Sequence, residues 1–150
     1  MQLNYELPQY WYHGTNKYFD TFTLENMGTN WDQSILGVYF TQYADDGIFG
    51  STAKEYAEYV VSVYGGTPYV YKCKLNIQNP LMLDSSGWYS SNSYIDQNRS
   101  DIKRWMKGED CAISYNLENR KKDGLEFGDY ILATKNLNMI EIISVSELKN

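Results

Sequence analysis

His13 is the only histidine in the chain, and Gly14 and Thr15 follow it directly in the stretch WYHGTNKYF. An imidazole in that setting can be a catalytic base, a metal ligand, a hydrogen-bonding partner for a substrate, or a packed ring without chemistry. In GVYFT, Tyr39 sits inside a short apolar run just after Gly37, a residue that lets a ligand come close to the backbone. Ala53-Lys54-Glu55-Tyr56 adds a second tyrosine on a helical pattern, and Glu126 and Asp129 are the acids of LEFGDY. The metal option fails on ligand count. Cys73 and Cys111 are isolated thiols, one histidine leaves too few nitrogen and sulfur donors, and no calcium-loop spacing is present. No metal is expected.

These residues need elements to hold them. YELPQYWYHG reads as an opening strand and LGVYFT, Leu36 to Thr41, as a second. Thr52 and Glu55 form a capping box for a helix whose apolar positions are Ala53, Tyr56, Ala57, Val60, Val61 and Tyr64, ended by Gly65-Gly66. PYVYKCKLNI alternates strictly: Tyr69, Tyr71, Cys73, Leu75 and Ile77 line one face, and Lys72, Lys74 and Asn76 the other. Asn79-Pro80 breaks that strand before LMLD. Between Ser86 and Lys122 the pattern weakens, although SDIKRWMKGE predicts a short helix burying Ile102, Trp105 and Met106. FGDYILAT and NMIEIISV read as closing strands, and the polar turn Lys135 to Asn138 predicts that they pair with each other. Strands outnumber helices, so the expected class is α+β with a split, mainly antiparallel sheet and few helices.

The 150 residues fit a single domain spanning 1–150, and neither an internal repeat nor a linker-like tract divides them. With 13 basic and 19 acidic residues the net charge is −6, which disfavours non-specific adhesion to nucleic acid or anionic membrane. No apolar run is long enough to span a bilayer, and MQLNYELPQY lacks the basic and apolar regions of a secretory signal. Cytoplasmic placement without membrane association is the expectation. One window runs against the overall charge: Arg99 to Lys122 holds seven basic and four acidic residues.

Taken in order, His13-Gly14-Thr15, Gly37-Val38-Tyr39-Phe40 with Ala53-Lys54-Glu55-Tyr56, and Gly128-Asp129-Tyr130-Ile131 resemble the three-part signature of ADP-ribosyltransferases. The branch is that of diphtheria toxin and poly(ADP-ribose) polymerase, the His-Tyr-acid type. Tyr-His-Gly-Thr, Tyr-Phe-Thr, Asn79-Pro80-Leu81 and Asp123-Gly124 make the likeness closest to small versions from phages and bacterial conflict systems. The resemblance implies the ADP-ribosyltransferase fold and NAD as a substrate. It implies that His13 bonds a ribose hydroxyl and that the Gly14 backbone grips the nicotinamide carboxamide. Thr15 shares that binding segment, while Tyr39 and Tyr56 enclose the nicotinamide ring. A late carboxylate would stabilise charge building on the ribose and deprotonate the acceptor. Asp129 is the candidate for that acid, one methylene shorter than the glutamate common in the family, and Glu126 is its rival.

The activity so implied is mono-ADP-ribosyl transfer to a macromolecular acceptor, protein or nucleic acid, by a toxin or phage-conflict effector with an antitoxin or other inhibitor as a candidate partner. Arg120, Lys121 and Lys122 just before the acidic strand are the candidate contacts to an acceptor phosphate. Two other readings stay open: NAD hydrolysis with water as acceptor, and a catalytically inactive module that binds a dinucleotide or a partner.

Overall fold

The computed structural model describes residues 7–24, 37–44, 53–83, 103–105, 107–116, 121–122, 125–126 and 129–148. The expectations placed on Thr52, Ile102, Met106, Arg120, Asp123-Gly124 and Gly128 lie outside those residues. The alternation in PYVYKCKLNI produces strand β3 (Tyr69–Leu75), after β1 (Trp11–Thr15), β2 (Val38–Thr41) and helix α1 (Ala53–Tyr64). There follow β4 (Leu81–Leu83), β5 (Cys111–Asn116), β6 (Lys121–Lys122), β7 (Leu125–Glu126), β8 (Asp129–Thr134) and β9 (Ile140–Glu147). Seven of these strands form one sheet in the order β4-β5-β8-β2-β1-β3-β9, and β6 and β7 form a separate hairpin. Among the described strands only the β4–β5 pair is parallel. The class is α+β with a mainly antiparallel sheet. Among the described residues no helix is long and apolar enough to cross a membrane.

One face of the sheet carries the core. Trp11, Phe40, Tyr71, Cys73, Ile113, Tyr130 and Leu132 are buried there, and Phe22 and Met139 close over them. Both halves of the sheet contribute, and Trp11 meets Tyr130 edge-on at 6.4 Å. The other face carries α1, which buries Ala53, Ala57 and Val60. Tyr56 and Tyr64, two of the apolar positions at helical spacing, are 37% and 51% exposed. The reason is how closely the helix approaches: a Cβ built on Gly14 would lie 2.1 Å from the Ala53 carbonyl oxygen. At such a distance only small side chains fit beneath the helix, and the tyrosines are left on its flank and outer surface.

The expectation that the two closing strands pair is wrong. β8 lies between β2 and β5, and β9 lies outside β3. On a flat sheet β8 and β9 would stand four strand spacings apart, about 19 Å. The six steps from Thr134 to Ile140, three of them taken by a 3-10 turn at Leu137–Met139, reach only about 16 Å. The sheet must therefore curl around its core face. The turn helps, because Met139 is buried and its carbonyl accepts from the Asn76 N–H at 2.9 Å.

The described part of the span Ser86 to Lys122 (residues 103–105, 107–116 and 121–122) holds more structure than its sequence suggests. Trp105 is buried as expected, and its indole N–H donates to the Ala133 carbonyl at 3.0 Å. β5 was not anticipated at all. Cys111, Ala112 and Ile113 are consecutive buried residues of an inner strand, so the polar–apolar alternation that marks a half-buried strand is missing.

Gly14→Ala should destabilise the protein by about 2–3 kcal/mol in urea unfolding, because the new methyl meets helix backbone. Gly65→Ala is the control, with φ +84° but nothing within 4 Å of its would-be Cβ, and should cost about 1 kcal/mol. Equal losses would show that α1 is not pressed onto β1 in solution.

Candidate functional site

The candidate site is the seam between β1 and β2. These strands share a single assigned pair, Tyr12 with Thr41, whereas β1 and β3 share five. The direction of the backbone groups follows from the neighbouring bonds. Gln42 N–H donates to the Tyr130 carbonyl at 3.1 Å, so the even-numbered residues of β2 face β8, and Tyr39 and Thr41 face β1. Tyr12–Thr41 is thus the pair that exchanges both bonds, and Gly14, two residues on, also turns its N–H and C=O toward β2. The other flank agrees. Leu148 N–H donates to the Pro68 carbonyl, which sets the even residues of β3 toward β9 and leaves Trp11, His13 and Thr15 to bond β3.

In a continued ladder Gly14 would pair with Tyr39. It does not. The Tyr39 carbonyl instead lies 2.6 Å from His13 Nδ1, and because a carbonyl only accepts, Nδ1 carries the hydrogen. The imidazole stands where a backbone pair would have closed the sheet, and Gly14 presents N–H and C=O to the seam without a ladder partner on β2.

Aromatic rings surround the imidazole on the core face. Phe22 lies edge-on at 5.2 Å, Phe40 at 5.7 Å, Phe19 at 6.4 Å and Tyr71 at 6.5 Å. Desolvation among these rings lowers the His13 pKa to about 4, against the raising effect of the bond to Tyr39. The residue as a whole is only half-buried, so part of it keeps contact with water. At neutral pH the ring is an uncharged Nδ1–H tautomer and Nε2 can only accept. A proton shuttle needs a pKa near working pH, so His13 is suited to holding a hydrogen-bond donor.

Tyr39 lies between Val38 and Phe40, both buried in the core, so its ring belongs to the opposite, helix-bearing side of the sheet. His13 and Tyr39 therefore border the same seam from its two faces. Tyr56 stands on α1, the helix pressed against Gly14, and its phenol pKa is raised, first by desolvation and then by Tyr64 and Tyr59. Thr15 Oγ1 accepts from Lys17 N–H at 3.3 Å and turns the chain out of β1.

The acids are placed differently. Asp129 opens β8 opposite Asn116, four residues along from Ala133, the residue across from Tyr39. That is roughly 13 Å of strand. Glu126 does not share a strand with Asp129. It lies in β7, opposite Lys121 in the small hairpin, and Lys122 of the expected acceptor-contacting run pairs there with Leu125. The structure joins His13, Gly14 and Tyr39 closely, sets Tyr56 on the adjoining helix, and places Asp129 farther along β8.

Sequence reasoning did not assign Phe19, Phe22, Phe40 and Tyr71 to the site. The signal available was aromatic density: YFDTF follows HGT within a few residues. Neither cysteine supplies a nucleophile, since burial raises the thiol of Cys73 to about 12 and also raises that of Cys111, where Asp110 adds to the effect. Among the described residues no cluster of histidine, cysteine and acid could hold a metal ion. No family model, curated protein or solved structure matches the chain.

The lowered pKa sets a pH dependence with a definite sign. Between about pH 4 and pH 6.5 the unfolded chain binds a proton on His13 that the folded chain refuses. The contribution is fully present above pH 6.5 and is lost as pH falls toward 4. It is at most about 3 kcal/mol, and less to the extent that the half-buried residue meets water. Urea unfolding at about pH 7 and about pH 4.5 should show a larger loss for the unaltered protein than for His13→Gln. An equal loss in both would place the imidazole in water.

Proposed function

We propose that the protein is an NAD-dependent mono-ADP-ribosyltransferase that modifies a macromolecular acceptor, with the ADP-ribosyltransferase fold implied by the His13, Tyr39 and Asp129 motifs. The observation that carries this reading is the interrupted ladder. A peptide-like N–H and C=O on Gly14 face a seam, and a planar primary carboxamide has the complementary donor and acceptor to complete the missing pair. Nicotinamide is such a group. Tyr39 borders the seam on the helix side and offers an aromatic face for its ring, and the neutral Nε2 of His13 is an acceptor for a ribose hydroxyl.

The bond to be broken joins ribose to nicotinamide, and positive charge grows on the sugar as it breaks. The residues then divide the work. Gly14 and Tyr39 hold the departing ring, His13 holds the sugar, and a carboxylate faces the developing charge and takes the acceptor's proton. Asp129 is assigned that last role because the motif places it there. Lys121 and Lys122, one strand away from Glu126, are the candidate contacts for an acceptor phosphate.

One observation favours the second reading, an inactive module that binds a dinucleotide: the roughly 13 Å of strand between Asp129 and the level of Tyr39. Mixing the protein with NAD separates the two. Nicotinamide release is expected from the transferase, and binding without release from the module. With labelled NAD and a cell extract, label removed by protease marks a protein acceptor, label removed by nuclease marks a nucleic acid, and free ADP-ribose alone marks a hydrolase.

Tyr39→Ala should weaken NAD binding roughly tenfold through loss of stacking, measured by calorimetry, and unchanged affinity would remove the tyrosine from the site. Asp129→Ala should reduce nicotinamide release on the order of a hundredfold or more while NAD still binds. If Glu126→Ala has that effect instead, the acid has been misassigned.

A further inference from the structure

Directly across from His13 on the neighbouring strand stands Tyr71, which is wholly buried. Its hydroxyl leaves the sheet to meet the segment that follows β1. It donates to the Phe19 carbonyl at 2.7 Å and accepts from the Phe19 N–H at 2.6 Å. One side chain thus satisfies both backbone groups of a residue 52 positions away. The two rings also stack, with centroids 4.3 Å apart and planes 7° from parallel. The segment held in this way delivers Phe22, which contacts Phe19, Phe40, Tyr71 and the imidazole itself. The start of the segment is pinned separately, by Asn16 bonds to Gly65 and Thr67. Beyond that, the exposed Tyr18–Asp20 bond is only local.

We propose that Tyr71 is a positioning residue for His13: by gripping Phe19 through its N–H and C=O together, its hydroxyl holds the Phe19–Phe22 cover on the imidazole. The cover keeps the ring uncharged, so His13 donates to Tyr39 and can only accept through Nε2. A site of that kind takes a neutral hydroxyl donor, and it offers no charge to an anionic oxygen. This consequence for ligand choice rests on the dinucleotide reading, whereas the grip does not.

Among the described aromatic rings packed against the imidazole, Tyr71 alone is titratable. Its pKa is raised, first by desolvation, with the Phe19 bond acting the other way and Tyr18, Asp20 and Tyr69 adding smaller increases. It remains a neutral phenol through the range in which His13 titrates.

Because His13 is the sole histidine, its ring protons give one titrating set in a proton NMR spectrum. In the full chain the unaltered midpoint should lie near 4. Tyr71→Phe keeps the ring but loses the grip, and should move that midpoint up by about one unit or more toward 6.5 while unfolding remains cooperative. Phe22→Ala removes the cover directly and should move it the same way. A cooperatively folded Tyr71→Phe protein with an unmoved midpoint overturns the proposal. If that variant does not fold, amide exchange in the unaltered protein decides. Protection of Phe19 N–H comparable to that of β3 upholds the grip, and exchange as fast as an exposed loop overturns it. Neither measurement involves NAD, so a protein indifferent to NAD would end the dinucleotide reading without touching this result.

Discussion

A single hydrogen bond, from His13 Nδ1 to the Tyr39 carbonyl, takes the place of the backbone pair that would have joined β1 to β2 beyond Tyr12. In an unbroken sheet Gly14 and Tyr39 would satisfy one another and offer nothing to a ligand. With the imidazole donating to Tyr39, that carbonyl is satisfied and the edge of Gly14 is left facing the seam. The bond also fixes the chemistry of the ring: it sets the tautomer, and desolvation by the surrounding phenyl groups outweighs its charge-favouring pull.

The two faces of the sheet make different demands on this point, and Gly14 reconciles them. On the helix side α1 comes so near that any side chain at residue 14 would collide with the Ala53 carbonyl. The same lack of a side chain leaves the backbone polar groups unshielded where the ladder stops. Close helix packing and an accessible peptide edge are therefore two results of one residue choice. On the core side the need is to exclude water, which Phe22, Phe40 and the Tyr71-held Phe19 meet.

What could be read in the sequence were the features whose cause is local. β3 was plain because Tyr71, Cys73 and Leu75 alternate with lysines, and α1 because its apolar spacing ends at two glycines. β5 was invisible because Cys111-Ala112-Ile113 is buried on both faces and carries no period. The separation of β8 from β9 was invisible for a different reason. Its short polar connection looks like a hairpin turn, and only the curl of the whole sheet lets five residues bridge non-adjacent strands. For the site, the residue types at His13, Gly14 and Tyr39 could be picked out by order and spacing. Their registration could not, since it depends on where pairing stops. The placement of Glu126 and Asp129 on different strands could not be read either, because nothing in LEFGDY marks the change from the β6–β7 hairpin to β8.

The most direct measurement is an amide-resolved NMR titration of the protein with nicotinamide and then with NAD, following Gly14 and Tyr39. If the interrupted ladder is the binding edge, the Gly14 amide exchanges faster than its neighbours Tyr12 and His13 in the free protein. It then shifts saturably, together with Tyr39, as either compound is added. A Gly14 amide that is already as protected as those neighbours, and that does not move with either compound, would mean the seam is closed and the site is not where these residues place it.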